Sequence, residues 1–113
     1  MDDTTTVQDL KTAVDNFVDD RDWAQFHSPK NLSMALTVEA SELMDLFKWK
    51  TTEEAQEEMK DQLLEDATDE LADIMIYAIA FANRNEIDIS IAVKRKIDKN
   101  IEKYPAEKFR EGF

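Results

Sequence analysis

The sequence predicts an all-α protein, a four-helix bundle formed by a single domain. Glycine occurs once and proline twice, so the chain has few of the residues on which tight turns and short strands depend. Apolar residues recur at three- and four-residue spacings. A length of 113 residues is enough for one core and too short for two. We expect one domain over residues 1–113, with a short polar N-terminus (1–5) and a C-terminal tail (106–113).

The first two helices are predicted from their apolar spacing and from their start signals. One apolar face is expected over residues 6–19, and its members are Val7, Leu10, Val14, Phe17 and Val18. Residues 21–27 are expected to be irregular. Ser28 followed by Pro29 is typical of an N-cap with proline at the first helical position. The second helix should then run to about residue 48.

The third and fourth helices are placed in the same way. Thr51, with Glu54 three residues later, predicts a capping box for a long third helix that ends near residue 83 and is broken at 59–63. Residues 83–86 form a connection. Asp88 can cap the fourth helix, which should end at Tyr104 because Pro105 cannot continue it.

Composition and charge exclude several classes of function. The chain has no cysteine and one histidine, which excludes disulfides, thiolate metal sites and a multi-histidine zinc site within one chain. Residues 94–113 hold seven basic and four acidic side chains, so of the net charge of -12 the rest of the chain carries -15. An acidic body of this kind is repelled by nucleic acid and by anionic lipid. We find neither a signal peptide nor an apolar run of about 18 residues, so the cytoplasm is the expected location.

Four acidic residues stand where a core is expected. Glu39 and Glu42 lie three residues apart in a mostly apolar helix, and Glu70 and Asp73 repeat that spacing in the third helix. A spacing of three puts both members of a pair on one helix face. Two such pairs facing each other would need a divalent cation with hard oxygen ligands, such as Mg²⁺, Mn²⁺ or Ca²⁺. Spacing alone leaves open that these acids belong to a solvated polar stripe.

The chain resembles the MazG-like all-α nucleoside triphosphate pyrophosphatases. E39-A-S-E42 followed by E70-L-A-D73 is similar to the family's E-x-x-E and E-x-x-D signature. Three further blocks resemble its dCTP pyrophosphatase-like branch: R21-D-W-A-Q-F-H-S-P-K-N-L32, F47-K-W49 and K96-I-D-K-N-I-E-K-Y-P105. The resemblance implies a helical bundle that forms homodimers or homotetramers. It also implies hydrolysis of a nucleoside triphosphate, dCTP or a modified dCTP in particular, to the monophosphate and pyrophosphate.

The resemblance also implies the cofactor and the catalytic residues. Mg²⁺, with Mn²⁺ as a possible substitute, would be held by Glu39, Glu42, Glu70 and Asp73. The metal would neutralise phosphate charge and activate water. One of the four acids could instead orient or deprotonate that water. The number of metal ions and the phosphorus atom attacked stay open.

Eight other residues are candidates for binding the substrate. Lys96, Asn100 and Lys103 share one face of the fourth helix and could contact phosphates or sugar, or form a solvated basic stripe. Tyr77, one turn after Asp73, could close the sugar end or be a core tyrosine. The family blocks favour a role around the base for the four remaining residues, which are Trp23, His27, Asn31 and Trp49.

Other functions remain open at this stage. One is a pyrophosphatase of the same fold that acts on dUTP or another non-canonical nucleotide. Another is a helical adaptor that binds divalent cations without catalysis. A di-iron bundle is disfavoured because it needs E-x-x-H pairs, and His27 does not stand three residues after a glutamate. The third helix is apolar around most of its circumference over residues 71–82, which favours an oligomer.

Overall fold

The fold consists of helices throughout residues 1–112, the part of the chain described by the computed structural model. The helices are α1 (Val7–Asp20), α2 (Pro29–Asp45), α3 (Thr52–Glu58), α4 (Gln62–Arg84), α5 (Ile89–Lys103) and α6 (Ala106–Phe109), with a 3₁₀ turn at Ala24–Phe26. No strand occurs in these residues. The all-α prediction is confirmed, and α1, α2, α4 and α5 are the four long helices. Within the described residues, no helix combines the length and apolar character needed to cross a membrane.

The helix starts follow the predicted caps. Ser28 Oγ accepts from the backbone N of Asn31 at 3.1 Å, and Asp88 Oδ1 accepts from the backbone N of Ile91 at 2.9 Å. Thr51 Oγ1 likewise accepts from the backbone N of Glu54 at 3.1 Å, which is one half of the predicted capping box; the reciprocal bond from Thr51 N to the Glu54 side chain is not formed. These side chains satisfy backbone donors that the first helical turn leaves without partners. The predicted break between α3 and α4 is confirmed at residues 59–61.

Helix α5 ends at Lys103, just before Tyr104 and Pro105, as predicted. Two other helix ends and the C-terminal tail differ from the expectations. The second helix ends at Asp45 instead of residue 48, because residues 46–50 form turns, including a 3.0 Å bond from Phe47 N to Met44 O. Helix α4 continues to Arg84, so the connection to α5 begins at Asn85. The predicted tail contains the short helix α6, where the rings of Tyr104 and Phe109 pack edge to face at 5.3 Å.

The core lies where α1 and α2 pack on α4. Helix α2 runs along α4 in the most extensive helix contact of the described chain, and α1 packs on α4 as well. The side chains buried together at this junction are Val14, Val18, Leu32, Ile79 and Ala80. This packing sets α2 and α4 side by side, which is the arrangement that a pair of acidic motifs on these two helices requires.

Two apolar surfaces remain outside this core. Leu71, Met75 and Ile76 of α4 are exposed, so a single chain leaves part of the apolar circumference predicted over residues 71–82 uncovered. They border a groove of about 620 Å³ between α1 and α4. On α5, Val93, Ile97 and Ile101 form an exposed apolar stripe at four-residue spacing, although Ile89 packs against the core.

Candidate active site

The two acidic pairs meet between α2 and α4. One carboxylate oxygen from each of Glu39, Glu70 and Asp73 lies within 4.8 Å of the other two. Glu42 lies beside them, close enough for its carboxylate to contribute to the raised pKa values of both Glu39 and Glu70. Helix packing therefore brings together all four acids that the spacing singled out, and the solvated-stripe alternative does not describe Glu39 and Glu70, which are half-buried.

The carboxyl groups of Glu39 and Glu70 are in an unfavourable environment for a negative charge. No N–H or O–H donor within the described chain reaches the buried Oε2 atoms of either residue. Burial, a hydrogen bond with Glu42 and the charges of Glu42, Asp73 and Glu70 raise the pKa of Glu39 to about 7. Burial and the neighbouring Glu42 also raise the pKa of Glu70. Burying a carboxylate without a partner raises the free energy of the folded chain, and a bound cation would offset this increase.

A cavity of about 160 Å³ adjoins the acids. Glu39 and Asp73 line one side of it, while Trp23, His27 and Tyr77 line others. The cavity therefore combines negative carboxylates with flat, largely apolar rings. A ligand that fits both parts would have an anionic group bridged to the acids by a cation and a planar ring among the aromatic side chains.

The link between α1 and α2 supplies Trp23 and His27. Asp22 has a left-handed backbone with φ of 54°, and its carbonyl oxygen accepts from Gln25 Nε2 at 2.9 Å. Farther along, Asn31 Nδ2 donates to the carbonyl oxygen of Phe26 at 3.0 Å. These bonds tie the link to itself and to the start of α2, so they hold the backbone that carries both cavity residues.

Five predicted substrate residues lie elsewhere in the single chain. Asn31 is occupied in the loop contact with Phe26 and does not line the cavity. Trp49 lies in the turn after α2 and is 88% exposed. The other three, Lys96, Asn100 and Lys103, are on α5, which contributes no residue to the cavity lining.

Phe17 is a cavity residue that the sequence did not single out. It was expected on the apolar face of the first helix, yet it is exposed toward the cavity and the neighbouring groove. Its ring meets Trp23 edge to face, with centroids 5.6 Å apart and an interplanar angle of 79°. Apolar spacing cannot distinguish such a residue from a core residue, since both lie on the helix face that looks inward.

The divalent-cation interpretation fits the donor set. The neighbouring ligand atoms are carboxylate oxygens, with neither sulfur nor imidazole nitrogen among them. Such a set suits hard cations, and the unpartnered buried oxygens of Glu39 and Glu70 are available to one. The arrangement can therefore hold a divalent cation beside the cavity, where it would face an anionic group of a bound ligand.

Comparison with known proteins gives consistent matches. The model of the MazG-like family matches residues 34–111. The chain is 39% identical over 102 residues to dCTP pyrophosphatase 1 of Homo sapiens, covering 89% of this chain and 60% of that protein. The corresponding protein of Bos taurus is 41% identical over 101 residues, covering 88% of this chain and 60% of the relative. The chain thus spans about 60% of the length of these curated relatives.

A solved structure agrees with these matches. A pyrophosphatase from Archaeoglobus fulgidus DSM 4304 superposes with a TM-score of 0.81 at 34% sequence identity. The superposition covers 87% of this chain and 91% of that one. The similarity therefore extends over nearly the whole helical fold described above and is not restricted to the acidic motifs.

Proposed function

The chain belongs to the MazG-like family, and we propose that it is a Mg²⁺-dependent nucleoside triphosphate pyrophosphohydrolase. The substrate is a dNTP or NTP, with dCTP or a modified dCTP preferred. Water and the triphosphate give the nucleoside monophosphate and pyrophosphate. The observation that carries the proposal is the junction of four carboxyl groups with an aromatic cavity. We propose the cytoplasm as its compartment, because nucleoside triphosphates are its substrates.

The choice of dCTP is supported by the relatives and by the cavity. The curated relatives at about 40% identity are dCTP pyrophosphatases, although this chain spans only part of their length. Trp23 offers a ring on which a base can stack, and His27 offers ring nitrogens that can bond to its edge. A cavity of about 160 Å³ is of a size for one base and excludes the triphosphate, which we place at the acids.

We assign the metal site to Glu39, Glu42, Glu70 and Asp73. When bound, Mg²⁺ supplies neutralisation of phosphate charge and a water molecule of lowered pKa. The chain itself supplies the oxygen ligands and fixes their spacing through the packing of α2 on α4. We propose that one of the four carboxylates orients or deprotonates the attacking water while the others hold the metal.

An oligomer is supported by the extended shape of the chain. Its accessible surface is 9185 Å², whereas a compact monomer of its mass exposes roughly 6400 Å². Its radius of gyration is 16.9 Å, against about 13 Å for a compact domain of this length. A chain that buries so little of its own surface is stabilised by further copies. We propose a homodimer or homotetramer in which the apolar α1–α4 groove is covered.

The same assembly accounts for four of the five candidate residues that lie away from the cavity. Helix α5 carries the basic residues Lys96 and Lys103, and the body of the chain is strongly acidic. We propose that Lys96, Asn100 and Lys103 act at the site of a neighbouring copy, where positive charge next to the acids would contact phosphate oxygens. We also assign Trp49 to the site of a neighbouring copy. Its side chain is 88% exposed in the single chain, so most of its surface is available to a partner.

The test is a nucleotide screen with product analysis. Purified protein is incubated with Mg²⁺ and each common dNTP and NTP, as well as 5-methyl-dCTP and dUTP, and the products are separated by ion-exchange chromatography. We expect dCMP and pyrophosphate from dCTP at the highest kcat/KM. Preferred turnover of dUTP would support a pyrophosphatase of different specificity. Release of single phosphates, or cation binding without turnover of any nucleotide, would contradict the proposal.

A further inference from the structure

The rings of Phe17 and Trp23 form an aromatic wall on one side of the cavity. Arg21 lies against this wall without lining the cavity itself. Its guanidinium carbon is 3.9 Å from the centroid of the Phe17 ring and 6.0 Å from that of Trp23. Its Nη1 atom donates to the carbonyl oxygen of Phe17 at 3.1 Å. The guanidinium is therefore fixed at two points, the ring of Phe17 and the backbone of the same residue.

Phe17 and Trp23 form one unit of this wall. Their rings pack edge to face and both line the cavity that Glu39 and Asp73 also line. Phe17 is held by α1, whereas Trp23 lies beyond the end of that helix, with its backbone N bonded to the carbonyl oxygen of Val18 at 3.1 Å. Neither ring is buried, so contacts at the surface decide how well their orientation is fixed.

We propose that Arg21 is a positioning residue that holds the Phe17–Trp23 wall in the orientation in which it receives the nucleotide base. The inference rests on the proposed function, because it assigns this wall to the base. A planar guanidinium can lie on one ring while its N–H groups bond to the backbone, and a lysine ammonium cannot do both. Arg21 thereby acts on affinity for the base through Phe17 and Trp23, and not on the carboxylates.

An alternative role for Arg21 is purely structural. A cation at the C-terminal end of α1 interacts favourably with the last carbonyl groups of that helix. Loss of this interaction would lower the melting temperature and leave the KM of the folded enzyme unchanged. The positioning role requires that loss of Arg21 raises KM while kcat is retained, and that the Trp23 ring becomes more accessible to solvent.

The experiment compares Arg21→Met and Arg21→Lys with the parent and with Arg95→Met. Arg95 is exposed on the side of α5 opposite its apolar stripe, so its replacement removes the same charge away from the wall. Steady-state dCTP hydrolysis gives KM and kcat in the otherwise native chain. A second set of the same variants also carries Trp49→Phe, which leaves Trp23 as the sole tryptophan. Acrylamide quenching of its fluorescence then reports how accessible the Trp23 ring is.

We expect both Arg21 variants to raise KM by roughly three- to tenfold, with kcat within about twofold of the parent, and to increase quenching of Trp23. Arg95→Met should match the parent in both measurements. An unchanged KM and unchanged quenching in Arg21→Met would overturn the inference and leave the proposed function intact. A KM of Arg21→Lys equal to that of the parent would show that positive charge alone suffices, and it would overturn the stacking role. If the parent hydrolyses no nucleotide, the proposed function fails, while unchanged quenching still refutes the positioning of Trp23.

Discussion

At the scale of single residues, the four carboxyl groups between α2 and α4 determine the chemistry open to the site. Glu39 and Glu70 each place an oxygen where no donor of the described chain reaches it. Asp73 is exposed and lies within 4.8 Å of both. Mutual repulsion of these groups destabilises the metal-free chain, whereas a divalent cation makes the same carboxylates favourable. We therefore expect metal binding at these residues to be coupled to folding stability.

The first prediction concerns Asp73. Asp73→Asn removes a charged oxygen ligand and should lower kcat/KM for dCTP by about 100-fold or more. Because one repulsive charge is gone, the metal-free variant should melt a few degrees higher than the parent. Asp69→Asn, an exposed acid on the same helix, is the matched control and should retain activity. Equal activity of both variants would show that Asp73 is a surface residue without a catalytic role.

The second prediction concerns the pH dependence of stability. The pKa of Glu39 is raised to about 7 in the folded chain from an ordinary value of 4.5, so the folded state binds the proton more tightly than the unfolded state. The free energy of unfolding of the metal-free protein should therefore fall as pH rises from about 4.5 to 7 and stay level above that range. Saturating Mg²⁺ should reverse this loss, since it binds the deprotonated carboxylates.

Glu39→Gln provides the control for this measurement. The amide cannot ionise, so the decline in stability between pH 4.5 and 7 should become shallower in the metal-free variant. Thermal unfolding followed by circular dichroism at a series of pH values, with and without Mg²⁺, gives the comparison. An identical pH profile in parent and variant would refute the assignment of the decline to Glu39.

Residue spacing predicted the acidic cluster but not the aromatic wall. The three-residue spacing of Glu39 and Glu42 fixes their common face by helix geometry alone, and the same holds for Glu70 and Asp73. Phe17 could not be recognised in this way. Its spacing is that of a core residue, and only the position of the α1–α2 link, which depends on tertiary packing, turns its ring toward the cavity.

At the scale of secondary structure, helix starts were predictable, whereas a helix end was predictable only where a proline follows it, as Pro105 follows α5. Ser28 and Asp88 each form the expected cap because the donor that they satisfy is three residues away in sequence. The end of α2 carries no such signal. Residues 46–50 include good helix formers, and the chain nevertheless turns after Asp45 toward α3. Lys50, paired with Glu58 across this turn at 2.8 Å, is a contact that local sequence does not reveal.

Helix α5 gives the third prediction, which concerns its action in a neighbouring copy. In the single chain it contributes no residue to the cavity lining, although Asn100 belongs to a family-like block. Asn100→Ala and Asp73→Asn should each abolish most dCTP hydrolysis when all copies carry the change. If α5 acts on another copy, co-expression of the two variants should assemble some sites with both native residues. Activity should then return to about half of the parent value in purified mixed dimers, or to slightly more than a quarter in purified mixed tetramers.

Action within one chain gives a different result in this experiment. Each copy in the mixed oligomer would then carry one defective component of its own site, and no activity would return. Co-expression of Asp73→Asn with Glu70→Gln is the matched control, because both residues lie on α4 and belong to the same acidic cluster. This pair should stay inactive whichever way α5 acts. Purification through two different affinity tags ensures that only mixed oligomers are measured.

At the scale of the whole molecule, the distribution of charge and apolar surface favours specific self-association. The net charge is -12, with an excess of basic residues only at the C-terminal end, so indiscriminate association is opposed by repulsion. The accessible surface is nevertheless well above that of a compact monomer. The sequence predicted from the apolar circumference of α4 that a single chain would leave apolar surface uncovered. It could not predict which side of α4 stays uncovered, because that depends on where α1 packs.

The last prediction is that the active unit is at least a dimer, held together through the α1–α4 groove. Ile76 lines this groove, with Leu71 and Met75 on the same helix. Ile76→Glu would bury an unpaired charge in the contact and should dissociate or unfold the protein, with loss of activity. Gln8→Glu adds the same charge on the face of α1 opposite the groove residue Leu10, and should leave assembly unchanged. Size exclusion coupled to light scattering measures the mass. A fully active parent near the chain mass of 13.1 kDa, or an Ile76→Glu variant that keeps the parent mass and activity, would contradict an oligomer built on this groove.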